Sequence, residues 1–142
     1  MAVNAPGHAD RLARYFASGR LEGIAAAYLF GSHAAGRAHR ESDVDVGVLL
    51  DWTMYPNATS RFEVRLRLAA DLPAVLQAPA DVVILNDAPP GLGRAIVTGG
   101  IRVSAPAPAL DSAYVRDVQL RAADLKPWLE RMRRVKLQAI RR

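Results

Sequence analysis

The alternation Asp43-Val44-Asp45-Val46-Gly47-Val48-Leu49-Leu50 constrains the fold more than any other stretch of this chain. A period of two is the signature of a β-strand, and it sorts side chains onto opposite faces. Val44, Val46, Val48 and Leu50 share one face, which calls for an apolar layer against it. Asp43, Asp45, Gly47 and Leu49 share the other. Two carboxylates about 7 Å apart along an aliphatic strand repel each other. That face is therefore expected to meet one or two hard cations.

The remaining segments supply partners for such a strand. "HADRLARYFAS" has helical spacing, with Leu12, Tyr15 and Phe16 on one side and Gly19 placed as a stop. "IAAAYLF", from Ile24 to Phe30, has strand length and is cut off by Gly31. "DWTMYPNATS" carries Pro56 and Asn57 and reads as a loop. The next helix is expected to open on Ser60 and Glu63, at capping-box spacing, and to bury Phe62, Leu66, Ala69 and Leu72. Pro73 should kink it or end its regular part. "ADVVILN" is a third strand, "APPGLGRAIVTGG" a short helix between a proline start and a glycine stop, and "IRVSA" a fourth strand.

Beyond residue 110, Tyr114, Val118, Ala122, Leu125, Leu129 and Met132 recur every three or four residues and form one apolar stripe on a long helix. Pro127 falls inside that pattern and predicts a kink or two pieces. Trp128 belongs to the same helix and suits core or interface better than a stacking platform. The expected architecture is α/β (α+β): a mixed sheet with flanking helices and a long C-terminal helical arm. One domain covers 1–142, with 106–142 as the arm.

Charge is uneven along the chain. Residues 113–142 hold nine Lys/Arg against three Asp/Glu, a net of +6, while residues 1–112 hold ten against eleven, a net of −1. A solvated helix face or a docking surface accounts for such a tail. Direct nucleic-acid binding is less favoured, because Tyr114 and Trp128 are the aromatics interleaved with the arginines. The absence of cysteine excludes disulfides and thiolate metal sites. No segment reaches membrane-spanning length and the N-terminus lacks the apolar core of a signal peptide, so a cytoplasmic protein is expected. "GLGRAI" has no third glycine and no Gly-Lys-Ser/Thr occurs, which excludes a dinucleotide fingerprint and a P-loop. His8, His33 and His39 lack metal spacing and read as solvated surface residues.

The chemistry concentrates ahead of the acidic strand. Gly31 ends one strand and Ser32 begins what reads as a short helix, a junction whose outward N–H groups suit an anion. The serine hydroxyl can add a donor to a phosphate oxygen. Asp43 and Asp45 follow ten residues later. A phosphate cradle beside paired carboxylates is what metal-assisted nucleotidyl transfer requires, since Mg²⁺ takes one or two carboxylates and leaves its other positions to water and phosphates. Asp81, at the start of "ADVVILN", is the candidate third carboxylate, either a metal ligand or the acceptor of the attacking hydroxyl's proton.

Gly-Ser, ten residues, Asp-x-Asp closely resembles the signature of the polymerase-beta-like nucleotidyltransferases. With "ADVVILNDAPP", "GG" before a strand and "DLKPWLERMRR", it is similar to their minimal nucleotidyltransferases, the MNT antitoxins paired with HEPN toxins. The resemblance covers the chain from about Ile24 onward. It implies that Gly31 and Ser32, with Arg37 and Ser42, bind the nucleotide, and that Asp43, Asp45 and Asp81 are catalytic and hold two Mg²⁺ ions. Many members carry arginine directly after Gly-Ser; this chain has His33, and Arg37 or Arg40 is the candidate replacement for that charge.

The resemblance further implies transfer of AMP from ATP to a hydroxyl, a tyrosine, of a cognate HEPN ribonuclease toxin, in a hetero-oligomer with that toxin. Residues 106–142 are too few for a second acceptor-holding domain, which favours a macromolecular acceptor. Two alternatives stand beside this: an inactive antitoxin that acts by binding alone, and transfer to a small aminoglycoside-type acceptor.

Overall fold

The computed structural model describes residues 7–34 and 43–123. Helix α1 (His8–Ala17) leads into strand β1 (Ile24–Phe30), then strand β2 (Val44–Leu50), helix α2 (Ala58–Leu76) and strand β3 (Ala80–Ile84). Helix α3 (Pro90–Gly99) and strand β4 (Ile101–Ser104) follow. A last helix, α4, is described over residues 108–123. The sheet is mixed, in the order β3-β2-β1-β4, with β2 and β3 parallel and the other two pairs antiparallel. A parallel pair needs a crossover, and α2 supplies it between β2 and β3.

The period-two pattern of β2 works as expected. Val44, Val46, Val48 and Leu50 are fully buried and pack with Leu12, Tyr15 and Phe16 of α1 and Val64, Leu68, Leu72 and Leu76 of α2. On the other face, Leu49 joins Tyr28, Leu85, Ile96, Tyr114 and Val118 in a second core formed with α3 and α4. Gly47 lets α3 settle onto that face: a Cβ there would stand 3.0 Å from Ile96 Cγ2. The predicted stripe of α4 is buried at Tyr114, Val118 and Ala122. Its continuation at Leu125, Leu129 and Met132, together with Pro127 and Trp128, lies outside the described residues.

Helix α2 departs from the sequence-based expectation in three ways. Its cap is Asn57, whose side chain accepts the Ser60 N–H at 2.8 Å, so the helix begins before the Ser60–Glu63 pair. Pro73 sits inside the helix, which continues to Leu76. Its buried stripe is Arg61, Val64, Leu68, Leu72 and Leu76, whereas Phe62, Leu66 and Ala69 are exposed. Arg61 can be buried because its guanidinium is satisfied. It pairs with Asp87 at 2.9 Å, donates to Tyr55 O at 2.9 Å and lies over the Trp52 ring.

Strand β3 is shorter than predicted, ending at Ile84 in a 3-10 turn over Leu85–Asp87. Asn86 continues the pairing with its side-chain amide, accepting Leu50 N–H at 2.8 Å and donating to Leu50 O at 2.9 Å. Helix α4 is pinned to the sheet by Asp111, a buried carboxylate that accepts from the Tyr28 hydroxyl and pairs with Arg102 at 2.7 Å. Burial, and then the bond to Asp111, push the Tyr28 hydroxyl up to about 12, so it remains a donor throughout the neutral range. Among the described residues no helix is long and apolar enough to cross a membrane.

Candidate active site

Strand β1 runs antiparallel to β2 and ends at Phe30, which pairs with Asp45. The chain then turns over residues 31–34. Gly31 adopts φ +76°, in the left-handed region that disfavours side chains. A Cβ on Gly31 would also overlap Asp45 Oδ2. The glycine therefore does two things at once: it reverses the strand and leaves room for the carboxylate beside it.

Asp45 sits in register with Asp81 across the parallel β2–β3 pair. Residues paired in this way project from the same face of neighbouring strands, which run about 4.8 Å apart. Asp43, immediately before β2, lies two positions back along the same face. Asp43 and Asp81 are exposed, while Asp45 is half-buried. Burial, then the neighbouring charges of Asp81 and Asp43, raise Asp45 above its ordinary carboxylate range, with His33 pulling the other way. The fold thus brings together four of the sequence-predicted site residues (Gly31, Asp43, Asp45 and Asp81) and places Ser32 in the adjoining turn. Arg37 and Ser42 lie outside the described residues, as does Arg40.

Among the described residues, no group of three or more His, Cys, Asp or Glu side chains is arranged to hold a metal ion. The donor chemistry still suits a hard divalent cation. All the available ligands are carboxylate oxygens, one or two of which suffice for Mg²⁺. The crowding that raises Asp45 is a repulsion that such a charge would relieve.

Two residues read as solvated surface belong to this neighbourhood. His33, in the turn, meets His8 on the first turn of α1 edge-to-face, with ring centroids 4.8 Å apart and planes at 85°. Both are half-buried. Burial first, then His33 and Arg11, hold His8 below the usual imidazole range. The two lie 25 positions apart in the chain, and no local spacing announces their contact.

A separate hollow of about 440 Å³ lies at the free edge of β3, lined by Phe62, Arg65, Val82, Ile84 and Leu92 among others. Its carboxylate, Asp87, is already paired with Arg61. The hollow lacks the converging acids and the glycine turn, which leaves the Asp45–Asp81 face as the candidate site.

Comparison with known proteins identifies the family and the fold. The family described as "Polymerase beta, Nucleotidyltransferase" matches residues 12–106. A protein adenylyltransferase, MntA of Shewanella oneidensis, is 38% identical over 73 residues, 51% of this chain and 48% of that protein. The chain thus spans about half the length of the curated relative it matches. Among solved structures, a toxin–antitoxin complex with AMP-PNP superposes with a TM-score of 0.64 at 22% identity, covering 94% of this chain and 98% of that one. A tri-AMPylated Shewanella oneidensis HEPN toxin in complex with MNT antitoxin gives 0.58 at 18% identity, covering 95% and 97%. At these identities the structural likeness concerns the fold.

Proposed function

Because this chain belongs to the polymerase beta nucleotidyltransferase family, we propose that it is a Mg²⁺-dependent adenylyltransferase that modifies a tyrosine hydroxyl of a HEPN toxin and thereby acts as its antitoxin. The observation that carries the reading is the register of Asp45 with Asp81 beside the Gly31–Ser32 turn. The adenylyltransferase name of the Shewanella relative and the toxin–antitoxin composition of the structural neighbours point to the acceptor. The whole process is placed in the cytoplasm, where ATP is plentiful, within one nucleotidyltransferase domain.

In this reading the N–H groups of the turn and the Ser32 hydroxyl take the β- and γ-phosphates of ATP. Asp43 and Asp45, with Asp81 as a third oxygen donor, would hold one or two Mg²⁺ ions, which supply positive charge at the phosphates when bound. The acceptor hydroxyl forms a bond to the α-phosphorus while the bond to pyrophosphate breaks, and pyrophosphate departs with the electron pair. Asp81, exposed at the strand edge, takes the proton from the acceptor hydroxyl. The turn positions the leaving side and the exposed β3 edge receives the acceptor.

Transfer of label from α-labelled ATP to a HEPN toxin tests this reading. Asp43→Asn and Asp45→Asn should each lower transfer by about 100-fold or more. Unchanged transfer overturns the mechanism. Neutralisation of the toxin that survives both substitutions would identify an antitoxin acting by binding alone, a reading favoured by His33-Ala34-Ala35 standing where many family members carry arginine directly after Gly-Ser.

A further inference from the structure

We propose that the hollow at the free edge of β3 is the docking seat of the acceptor protein. It takes an apolar side chain against Phe62 and Leu92 and a carboxylate against Arg65, both from the segment that carries the modified hydroxyl. The proposal rests on the reading above that this chain modifies a protein hydroxyl beside Asp81.

Strand β3 is paired on one side only, with β2. The hollow lies along its open side, between α2, which contributes Phe62 and Arg65, and α3, which contributes Leu92. Folding leaves this surface apolar: Phe62 is 50% exposed and Leu92 39%, and Pro89 and Val83 continue the lining. Large apolar side chains gathered around a concavity on a water-facing surface mark an interaction site.

Charge says which kind of partner fits. Arg65 and Asp87 are the charged side chains of the lining. Asp87 is neutralised by Arg61 at 2.9 Å. Arg65 donates its Nε to Val82 O at 3.0 Å, which holds the guanidinium against β3, and it has no carboxylate partner among the described residues. An uncompensated cation beside an apolar floor selects an apolar side chain flanked by a carboxylate. A free small molecule is a poorer match. Its site needs several converging polar groups, and Arg65 is the one charged side chain of the lining left without a counterion.

Position ties the hollow to the acceptor. Val83 lies two residues beyond Asp81 on the same face of β3, about 7 Å along the strand. Asp81 itself is exposed. An extended segment anchored in the hollow therefore presents its residues two or three positions along to Asp81, the group proposed to take the acceptor's proton.

Calorimetric titration of the full chain with the HEPN toxin of the label-transfer assay, in the absence of ATP, tests the proposal. Phe62→Ala and Leu92→Ala should each weaken toxin binding by about tenfold, the scale of one anchoring side chain lost. Arg65→Glu should weaken it by about tenfold at low salt and by less at high salt. Leu66→Ala, equally exposed on α2 but outside the hollow, should bind the toxin as the wild type does. All four variants should keep wild-type affinity for Mg-ATP, which a general loss of structure would not allow. Wild-type toxin affinity in Phe62→Ala, Leu92→Ala or Arg65→Glu overturns the proposal. So does a loss at Leu66→Ala equal to theirs, or a parallel fall in Mg-ATP affinity. Failure of the transferase reading is seen separately, as toxin that docks in this way yet receives label from Asp45→Asn as readily as from the wild type.

Discussion

The carboxylate of Asp45 occupies the space that any side chain on residue 31 would need, so Gly31 and Asp45 form one structural unit although 13 residues separate them. The left-handed backbone at Gly31 ends β1, and the vacancy at its α-carbon seats the acid of β2. The turn proposed to hold phosphates and the strand proposed to hold metal are thus locked to each other by a missing methyl group.

Gly31→Ala should therefore damage stability and catalysis together. An alanine held at φ +76° costs on the order of 1–2 kcal/mol, before any displacement of Asp45 is counted. Thermal denaturation should show at least that loss. AMP transfer should fall by about 100-fold, the scale of a 1 Å misplacement of a catalytic group. Wild-type melting with wild-type transfer would show that the acid is not seated against residue 31.

Asp45 should destabilise the folded chain at neutral pH. Burial, Asp81 and Asp43 raise it above its unfolded value, so the native state binds the proton more tightly than the unfolded one. Its contribution to stability is then fully present below the ordinary carboxylate range and is lost as pH rises through the raised value. Asp45→Asn should accordingly raise the melting temperature by a few degrees at neutral pH while abolishing transfer. The gain should shrink as pH falls through the carboxylate range. Added Mg²⁺ should stabilise the wild type more than the variant. Equal melting temperatures at neutral pH would contradict the crowding of the three acids.

The two apolar stripes of α2 should respond very differently to truncation. Leu68 is fully buried, and Leu68→Ala should cost about 2–5 kcal/mol. Leu66 is 53% exposed and Phe62 50%, and either alanine substitution should change stability by less than about 0.5 kcal/mol. Denaturant titration of the three variants checks both halves, and a large loss at Leu66 would restore the stripe predicted from sequence.

That stripe shows where the sequence became ambiguous. Phe62, Leu66 and Ala69 keep helical spacing as well as Val64, Leu68 and Leu76 do, and Leu72 continues either set. An arginine at the head of the true stripe argues against it until Asp87, 26 residues later, is brought alongside. The histidine pair was hidden in the same way, since its members come from different elements and neither carries a local signal.

The strand pattern, by contrast, needed no tertiary knowledge. Alternation in β2 fixes which side chains face which layer, and the Gly-Ser, ten-residue, Asp-x-Asp spacing is a property of the chain alone. What the folded structure decided is which distant residues become neighbours. The parallel register that sets Asp81 beside Asp45, the seat that Gly31 leaves for that acid, and the choice of stripe on α2 all depend on how elements pack. Local periodicity specifies a face, and only contact between faces specifies its partner.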